Sequence, residues 1–265
     1  MSKPGVRRPF DSDRLRRLLP AGRELADAIH IVDSCSSTSD LAREWLATGS
    51  AKNGLLLLAE TQTDGRGRSQ RDWWSGPPTS NLCCTLALSL PEPPLAAGLA
   101  AACAVAAACE RFAKTNAALK WPNDILLLDP TKAPAKVAGI LAESLAVAPS
   151  TLLLGMGINV ASAPPNCARI GANIPREPLL AAVLLGLDRR LRHLVGAGPD
   201  ALEQECLARL RLWAPWGIQV AGDSELGTGP LLEFSLSEGL TWGKAPHTER
   251  RPLGLLRELL PLPHP

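Results

Sequence analysis

The sequence is organised around residues 60–74, which read ETQTDGRGRSQRDWW. Three arginines, Arg66, Arg68 and Arg71, fall within six residues and are interleaved with glycines. Glycine lets a ligand approach the main chain closely, and arginine presents a planar fork of donors suited to carboxylate and phosphate oxygens. The pattern therefore indicates an anion-binding loop, which we call the Gly-Arg loop (residues 63–73).

The residues before this loop suggest how it is mounted. Residues 54–59 read GLLLLA, a short apolar run that predicts a buried strand. The loop would then leave the end of a core strand, where binding residues commonly sit on a rigid scaffold. A solvated basic turn is the alternative interpretation. A disordered RNA-binding repeat is a further one, although a single copy between apolar strands argues against it.

Length and composition limit the class of protein. The chain has 265 residues, of which 46% are hydrophobic, enough for one large domain or one domain with a small appendage. A net charge of +2 does not indicate bulk attraction to nucleic acid or membrane. Seven cysteines without a C-x-x-C pair predict reduced thiols and not a disulfide frame or a zinc site.

We expect a soluble, cytoplasmic protein. The first residues, MSKPGVRRPFDSD, lack the apolar core of a signal peptide. The longest apolar run, near residues 96–109, is expected to be too short to span a bilayer. The N-terminal part leaves no room for a helix-turn-helix module, so we expect no DNA partner.

Periodicity and turn residues predict alternating helices and strands. Pro122 should end one strand and turn the chain into the next as a hairpin. Helices are predicted at residues 13–19, 40–47, 95–114, 178–195 and 200–213, strands at 28–32, 54–59, 82–90, 118–121, 125–128, 136–146 and 151–160, weak strands within 231–240, and a frayed end at 261–265.

Three further segments place polar or glycine residues beside predicted strands. They are residues 120–124 (KWPND), 136–141 (KVAGIL) and 155–160 (GMGINV). Each also has a plain structural interpretation: a surface turn with a salt bridge, a solvated lysine at a strand end, and a β-bulge.

In this order, the Gly-Arg loop and the three segments resemble the biotin–protein ligases (biotin–[acetyl-CoA-carboxylase] ligases). The matching motifs span about residues 34–160. The resemblance implies ATP-dependent formation of biotinyl-5′-adenylate and transfer of biotin to a lysine of a carboxyl carrier domain. It also implies an α+β fold, a mixed β-sheet flanked by helices as in class II aminoacyl-tRNA synthetases and lipoate ligases, followed by a small, degenerate SH3-like β domain. The expected domains are an N-terminal extension (1–24), a catalytic domain (25–212) and a small C-terminal domain (213–265).

The resemblance assigns site residues. Arg68 and Lys136 would be catalytic. Biotin would be bound by Ser37, Thr38, Ser39, Gln62, Gly65, Arg66, Gly67, Arg68, Lys136 and Gly139. ATP would be bound by Arg71, Trp73, Lys120, Asn123, Asp124, Lys136 and Asn159. Mg²⁺ would accompany ATP without direct protein ligation, with Asp124 acting through water.

Two positions depart from the family pattern. Ser39 stands where the family usually has Asn, and Gln70 stands where it has a glycine. A positive φ at Gln70 would cost roughly 1–2 kcal/mol. A lipoate or octanoate ligase or transferase, and an inactive biotin-binding module, remain alternative functions. The acceptor is expected to be a biotin carboxyl carrier protein, and the family relation also allows a homodimer.

Overall fold

A seven-stranded mixed sheet forms the centre of the molecule in the computed structural model, which describes residues 8–21, 25–89, 94–145, 148–222 and 226–264. The strand order is β1-β2-β3-β7-β6-β5-β4, with β1 and β2 parallel and the other pairs antiparallel. The predicted α+β fold with a mixed sheet is confirmed. The strands are β1 (Ala28–Cys35), β2 (Leu55–Gln62), β3 (Leu82–Ser89), β4 (Asn116–Lys120), β5 (Asp124–Leu128), β6 (Ala135–Leu145) and β7 (Ala148–Ile158).

The leucine run of β2 shows why the sheet is covered on both faces. Leu56 and Leu58 join the larger core cluster, whereas Leu55 and Leu57 join a smaller cluster on the opposite face. Successive side chains of a strand point to opposite faces. An unbroken apolar run is therefore what a strand between two helical layers requires.

In the described part of the chain, five α-helices pack on the two faces. Helix α2 covers the face of Leu55 and Leu57, and its residue Ala42 is fully buried there. Residues of the other four helices join the larger cluster on the opposite face. The helices are α1 (Ser12–Leu18), α2 (Thr38–Ala47), α3 (Pro94–Ala113), α4 (Arg176–Ala197) and α5 (Asp200–Trp213).

Helix α3 lies within one residue of the helix predicted at 95–114. Its 20 residues extend beyond the apolar run at 96–109 and are long and apolar enough, by length and composition alone, to cross a membrane. About 67% of its most apolar window is nevertheless buried inside the fold. Its alanines instead allow close packing against α4, where Gly186 faces Ala104. Helix α3 is thus a core helix of this fold.

The N-terminal segment packs into the same core. Phe10, Leu15 and Leu19 are buried in the larger cluster. The Phe10 amide donates to Glu60 Oε1 at 2.5 Å. Arg176 at the start of α4 forms two hydrogen bonds to the Glu60 carboxylate, and both side chains are almost fully buried. Residues 10–19 are therefore part of the folded unit that holds the end of β2.

The described residues of the C-terminal part form five short strands and a 3-10 turn. Strands β9 to β11 form one antiparallel sheet, and β8 pairs with β12. Trp242 on β10 is fully buried at its centre. The predicted frayed end is wrong up to His264, because Pro261 pairs with Ile218 and the Leu262 amide donates to the Gly217 carbonyl at 2.9 Å. The strands are β8 (Ile218–Val220), β9 (Leu231–Ser235), β10 (Gly239–Lys244), β11 (His247–Arg251) and β12 (Leu259–Pro261).

Trp121 connects this C-terminal part to the sheet. The residue follows β4, is buried, and donates from Nε1 to the Leu256 carbonyl at 2.7 Å. Its ring also meets Phe234 edge-on, with 6.1 Å between centroids. A segment near the end of the chain is thereby held beside the β4–β5 turn.

Candidate functional site

One cavity of about 480 Å³ gathers residues from most of the predicted motifs. It lies between the start of α2, the Gly-Arg loop, the β4–β5 turn, β6, β7 and the segment before β12. Of the residues assigned from the resemblance, the cavity is lined by Ser37, Thr38, Ser39, Gln62, Arg66, Gly67, Arg68, Arg71, Trp73, Lys120, Asn123, Asp124, Lys136 and Gly139.

Neutral polar side chains line the end of the cavity next to α2. Gln62 Oε1 accepts from the Thr38 amide at 2.7 Å and from Thr38 Oγ1 at 3.0 Å. The hydroxyl of Thr85 on β3 lies 2.8 Å from Thr38 Oγ1 and 3.1 Å from Ser39 Oγ. Gly155 lies opposite Thr85 and leaves room for Ser39, since a Cβ there would come within 3.0 Å of the hydroxyl. This end therefore offers fixed hydrogen-bonding groups without charge.

The Gly-Arg loop folds back on itself as a narrow hairpin. The Trp73 amide donates to the Gly65 carbonyl, and the Gly67 amide donates to the Arg71 carbonyl, both at 2.7 Å. At the tip, Ser69 takes the left-handed conformation, with φ 55° and ψ 37°. From the sequence, a positive φ at Gln70 would carry a steric cost. In the structure, the residue of this turn with a positive φ is Ser69.

Trp73 lies on a floor made by two glycines. Gly139 on β6 and Gly157 on β7 are direct partners across the two strands. A Cβ added at Gly157 would come within 2.3 Å of the indole ring, and one at Gly139 within 3.3 Å. These positions therefore admit the ring because they carry no side chain, which gives the G-x-G pattern of β7 a packing role.

The three loop arginines differ in their partners. Arg66 forms an ion pair with Asp40 in the first turn of α2. Within the described part of the chain, Arg68 and Arg71 are not paired with a carboxylate, and both are exposed at the cavity. Two guanidinium groups are thus free to meet an anion, whereas the third is held by the protein.

A second wall of the cavity is the β4–β5 hairpin together with Lys136 on the adjacent strand β6. Lys136 Nζ lies 2.7 Å from Asp124 Oδ1 and 5.5 Å from the centre of the Trp73 ring. Asn123 is held from both sides, because its side-chain amide donates to the Ile140 carbonyl and its own carbonyl accepts from the Ile140 amide, each at 3.0 Å. Lys120 lines the cavity at the end of β4.

Two expected site residues do not line the cavity. Gly65 is buried behind it, with no room for a side chain between Gln62 and the Trp73 carbonyl. Asn159 is 2% exposed and donates from Nδ2 to the Ala168 carbonyl at 3.1 Å. The expected contact of Asn159 with the nucleotide therefore does not follow from its position.

The cavity also includes residues that the sequence did not indicate. Gly254, Arg257 and Glu258, just before β12, complete its rim. No local motif marks them, and they reach the site because Trp121 binds the neighbouring Leu256 carbonyl. Arg257 adds a further exposed cation.

Cys83 and Cys84 on β3 are also among the residues that line the cavity. Burial raises the pKa of both thiols, so they stay neutral at physiological pH. Charge in this cavity therefore comes from its cations, from Asp124 and from the exposed carboxylates Asp72 and Glu258.

Comparison with known proteins places the chain in a family. Residues 31–159 match the biotin/lipoate A/B protein ligase family. The biotin–[acetyl-CoA-carboxylase] ligase of Mycobacterium tuberculosis is 30% identical over 240 residues, covering 82% of this chain and 86% of the relative. The bifunctional ligase/repressor BirA of Bacillus subtilis is 33% identical over 231 residues, covering 80% of this chain and 64% of that protein.

A solved structure shows the same fold. The biotin protein ligase from Aquifex aeolicus, solved in complex with biotin and ATP, aligns with a TM-score of 0.69 at 23% identity. The alignment covers 88% of this chain and 98% of that one.

The mixed sheet, the Gly-Arg loop and these matches together define a protein ligase domain. The chain belongs to the biotin/lipoate A/B protein ligase family, and the resemblance to its biotin protein ligase branch is confirmed.

Proposed function

We propose that this protein is an ATP-dependent biotin ligase. It would join biotin to ATP as biotinyl-5′-adenylate with release of pyrophosphate, and then transfer the biotinyl group to a lysine of a carboxyl carrier domain. The observation that carries the proposal is that one cavity joins a neutral polar end at Thr38 and Gln62 to a cationic end at Arg68 and Lys136. A substrate with a neutral polar ring and a carboxylate tail would place its ring at the neutral end and its carboxylate at the cationic end.

In the first step, a carboxylate must approach the α-phosphate although the two anions repel each other. Arg68 on the Gly-Arg loop and Lys136 on β6 both line the cavity, so two cations from separate elements can act on the reacting oxygen atoms. Fixed cations hold the reactants in line and stabilise the charge that develops at phosphorus. Biotin O–P bond formation is then balanced by cleavage of the α–β phosphate bond, and pyrophosphate leaves with the electron pair.

Arg71, Lys120 and Arg257 would hold the remaining phosphates, since they supply cations around the same cavity. Trp73 offers its exposed indole face to the adenine or to biotin's aliphatic tail, while its other face packs on Gly157. Asn123 would keep the hairpin wall in place through Ile140.

Magnesium fits this site as part of the nucleotide. Across the described residues, no group of three His, Cys, Asp or Glu side chains is placed to hold a metal ion. Asp124 is the carboxylate on the hairpin wall, and Mg²⁺ typically keeps several waters when phosphates bind it. We therefore assign Asp124 a contact through water. When bound, the ion would neutralise phosphate charge.

In the second step, the acceptor lysine must attack as a neutral amine. The amine nitrogen would bond to the biotinyl carbonyl carbon, the bond from that carbon to the phosphate oxygen would break, and AMP would leave. Asp124 is the candidate to take the proton, because an arriving phosphate would draw Lys136 away from it.

The acceptor is inferred from the relatives. Two of them, from Mycobacterium tuberculosis and Paracoccus denitrificans, are named biotin–[acetyl-CoA-carboxylase] ligases. We propose a biotin carboxyl carrier domain of such a carboxylase as the acceptor, and the cytoplasm, where carboxylase and ATP are present, as the location.

Isotope exchange between pyrophosphate and ATP tests the first step. We expect exchange that depends on biotin and not on lipoate, followed by biotin transfer to a purified carrier domain of acetyl-CoA carboxylase. Exchange with lipoate alone would instead identify a lipoate ligase. Biotin binding by calorimetry without exchange under any condition would identify an inactive binding module.

A further inference from the structure

The ion pair of Arg66 and Asp40 connects the Gly-Arg loop to α2 and removes one arginine from the anion-binding set. Arg66 Nη2 contacts Asp40 Oδ1, and only 26% of the Arg66 side chain is exposed. The neighbouring Arg68 and Arg71 are exposed at the cavity. Arg66 is therefore oriented by the protein before any substrate arrives.

Asp40 belongs to the same helical turn as the neutral end of the cavity. It lies two residues after Thr38, whose amide and hydroxyl both donate to Gln62. A carboxylate in the first turn of a helix is also favoured by the helix dipole. The ion pair thus joins the Gly-Arg loop to the helical turn that forms the neutral polar end of the cavity.

A second arginine keeps Asp40 in position. Arg43 Nη1 donates to the same oxygen, Asp40 Oδ1, at 2.5 Å, and Arg43 Nη2 reaches Glu143 on β6 at 3.3 Å. The Asp40 carboxylate is thereby held between the loop and the sheet. Its orientation does not depend on the loop alone.

We infer that Asp40 is a positioning residue, which acts through Arg66 to hold the Gly-Arg loop closed over the cavity. The first residues of the loop are also bound next to α2, because the Thr63 and Asp64 amides donate to the Cys35 and Ser36 carbonyls, both at 2.9 Å. The hairpin that follows is closed by internal bonds, between Gly65 and Trp73 and between Gly67 and Arg71, which keep its shape but do not bind it to α2. The ion pair supplies that contact from within the hairpin.

This inference deepens the proposed function and rests on it in one respect. If the loop closes over biotin, weakening the ion pair should lower the apparent affinity for biotin while leaving the cations of the chemical step in place. KM for biotin should therefore rise while kcat stays nearly unchanged.

The experiment compares Asp40→Asn, Asp40→Glu and Asp188→Asn with the natural protein. Asp188 pairs with Arg192 on α4, so its substitution is a matched loss of an aspartate–arginine pair on another helix. We expect Asp40→Asn to raise KM for biotin about fivefold with kcat nearly unchanged, the effect of an ion pair of about 1 kcal/mol. Asp40→Glu should recover part of the loss, and Asp188→Asn should resemble the natural protein.

A second measurement does not need catalysis. Trypsin cleaves after arginine, and the loop contains three of them, so loop opening can be followed by the rate of cleavage at residues 66–71, identified by mass spectrometry. Cleavage within a folded segment requires local opening. Asp40→Asn should be cleaved there about fivefold faster, in line with the same loss of about 1 kcal/mol.

The two measurements separate the two proposals. Faster cleavage of Asp40→Asn in a protein without biotin-dependent exchange would support the inference and reject the proposed function. Exchange in the natural protein with unchanged KM and unchanged cleavage in Asp40→Asn would overturn the inference. A loss of kcat and of thermal stability together, without a change in KM, would also overturn it, because it would indicate a general structural role.

Discussion

The two walls of the cavity carry similar cations but are attached to the fold in different ways. The hairpin wall around Asn123 is hydrogen-bonded to β6 in both directions, and Trp121 beside it is buried against the C-terminal part. The Gly-Arg loop is bonded at Thr63 and Asp64 to the segment before α2, but from Gly65 to Trp73 its backbone hydrogen bonds are internal and it turns through a left-handed Ser69. Local stability follows burial and external contacts. The hairpin wall is therefore the fixed reference, and the loop is the wall that adjusts to substrate.

Removing the cation of the fixed wall should have the largest effect. We expect Lys136→Ala to slow biotin-dependent ATP–pyrophosphate exchange by about 10²–10³, by analogy with loss of one preorganised donor. Its side chain is 32% exposed, so the melting temperature should change little. Lys132→Ala, which removes an exposed lysine paired with Asp129, is the matched control. Near-normal exchange by Lys136→Ala would reject its catalytic role.

Arg68→Ala tests the corresponding cation of the adjustable wall. We expect a similar loss of exchange, on the order of 10²-fold, accompanied by a rise in KM that Lys136→Ala does not show. The reason is that Arg68 also belongs to the segment that must close. A change in kcat alone would mean that the loop is as rigid as the hairpin.

Filling the glycine floor should displace the loop and not the sheet. Gly157→Ala would bring a Cβ within 2.3 Å of the Trp73 ring, and the backbone there does not need a positive φ. We expect KM for biotin to rise on the order of tenfold, since overpacking costs about 1–3 kcal/mol. Gly139→Ala, with 3.3 Å available, should change KM less. An equal rise in KM for the two substitutions would contradict the inference that Gly157 leaves less room beside the Trp73 ring than Gly139 does.

Trp121→Phe weakens the attachment of the fixed wall. The change leaves the Leu256 carbonyl without its indole donor, which should cost about 1–3 kcal/mol of unfolding free energy. Urea denaturation measures this loss. Trp74→Phe is the control, because Trp74 is 43% exposed and its replacement should be nearly neutral. A neutral Trp121→Phe would show that the hydrogen bond does not contribute to holding the wall.

The smallest effect is expected at the tip of the loop. Ser69→Gly should raise the free energy of unfolding by about 0.5–1 kcal/mol, because glycine adopts the left-handed conformation without the steric cost of a side chain. Ser69→Ala keeps that cost and should leave stability unchanged. If Ser69→Gly lowers the free energy of unfolding, the left-handed conformation at position 69 does not carry the expected steric cost.

Local patterns predicted much of the sheet, whereas the residues of the cavity were assigned from the family resemblance. The β4–β5 hairpin follows from Pro122 between two short apolar runs, and the buried β2 follows from its leucines. Fourteen of the residues assigned from the resemblance line one cavity, and they lie at the end of β2, in the Gly-Arg loop, at the start of α2, around the β4–β5 turn and in the first half of β6. Turns, strand ends and helix starts are features that local sequence encodes.

Contacts between distant residues were beyond the sequence. Arg257 reaches the cavity through packing of the C-terminal strands, which have no motif of their own. Asn159 follows a G-x-G pattern that suits a binding strand, yet its side chain turns to Ala168 and is buried. The pattern around a polar residue does not reveal whether its side chain will line the cavity or bond to a neighbouring loop.

The buried pair of Glu60 and Arg176 has a practical consequence for shortening this protein. Phe10 donates its amide to Glu60 and lies 5.5 Å from the Arg176 guanidinium, and Glu60 is two residues from Gln62 in the site. A variant that starts at residue 25, where sequence alone placed the domain boundary, would expose this ion pair and the apolar surface under Leu15 to water. Expression trials should therefore keep residues 8–24 with the enzyme and attach tags ahead of them.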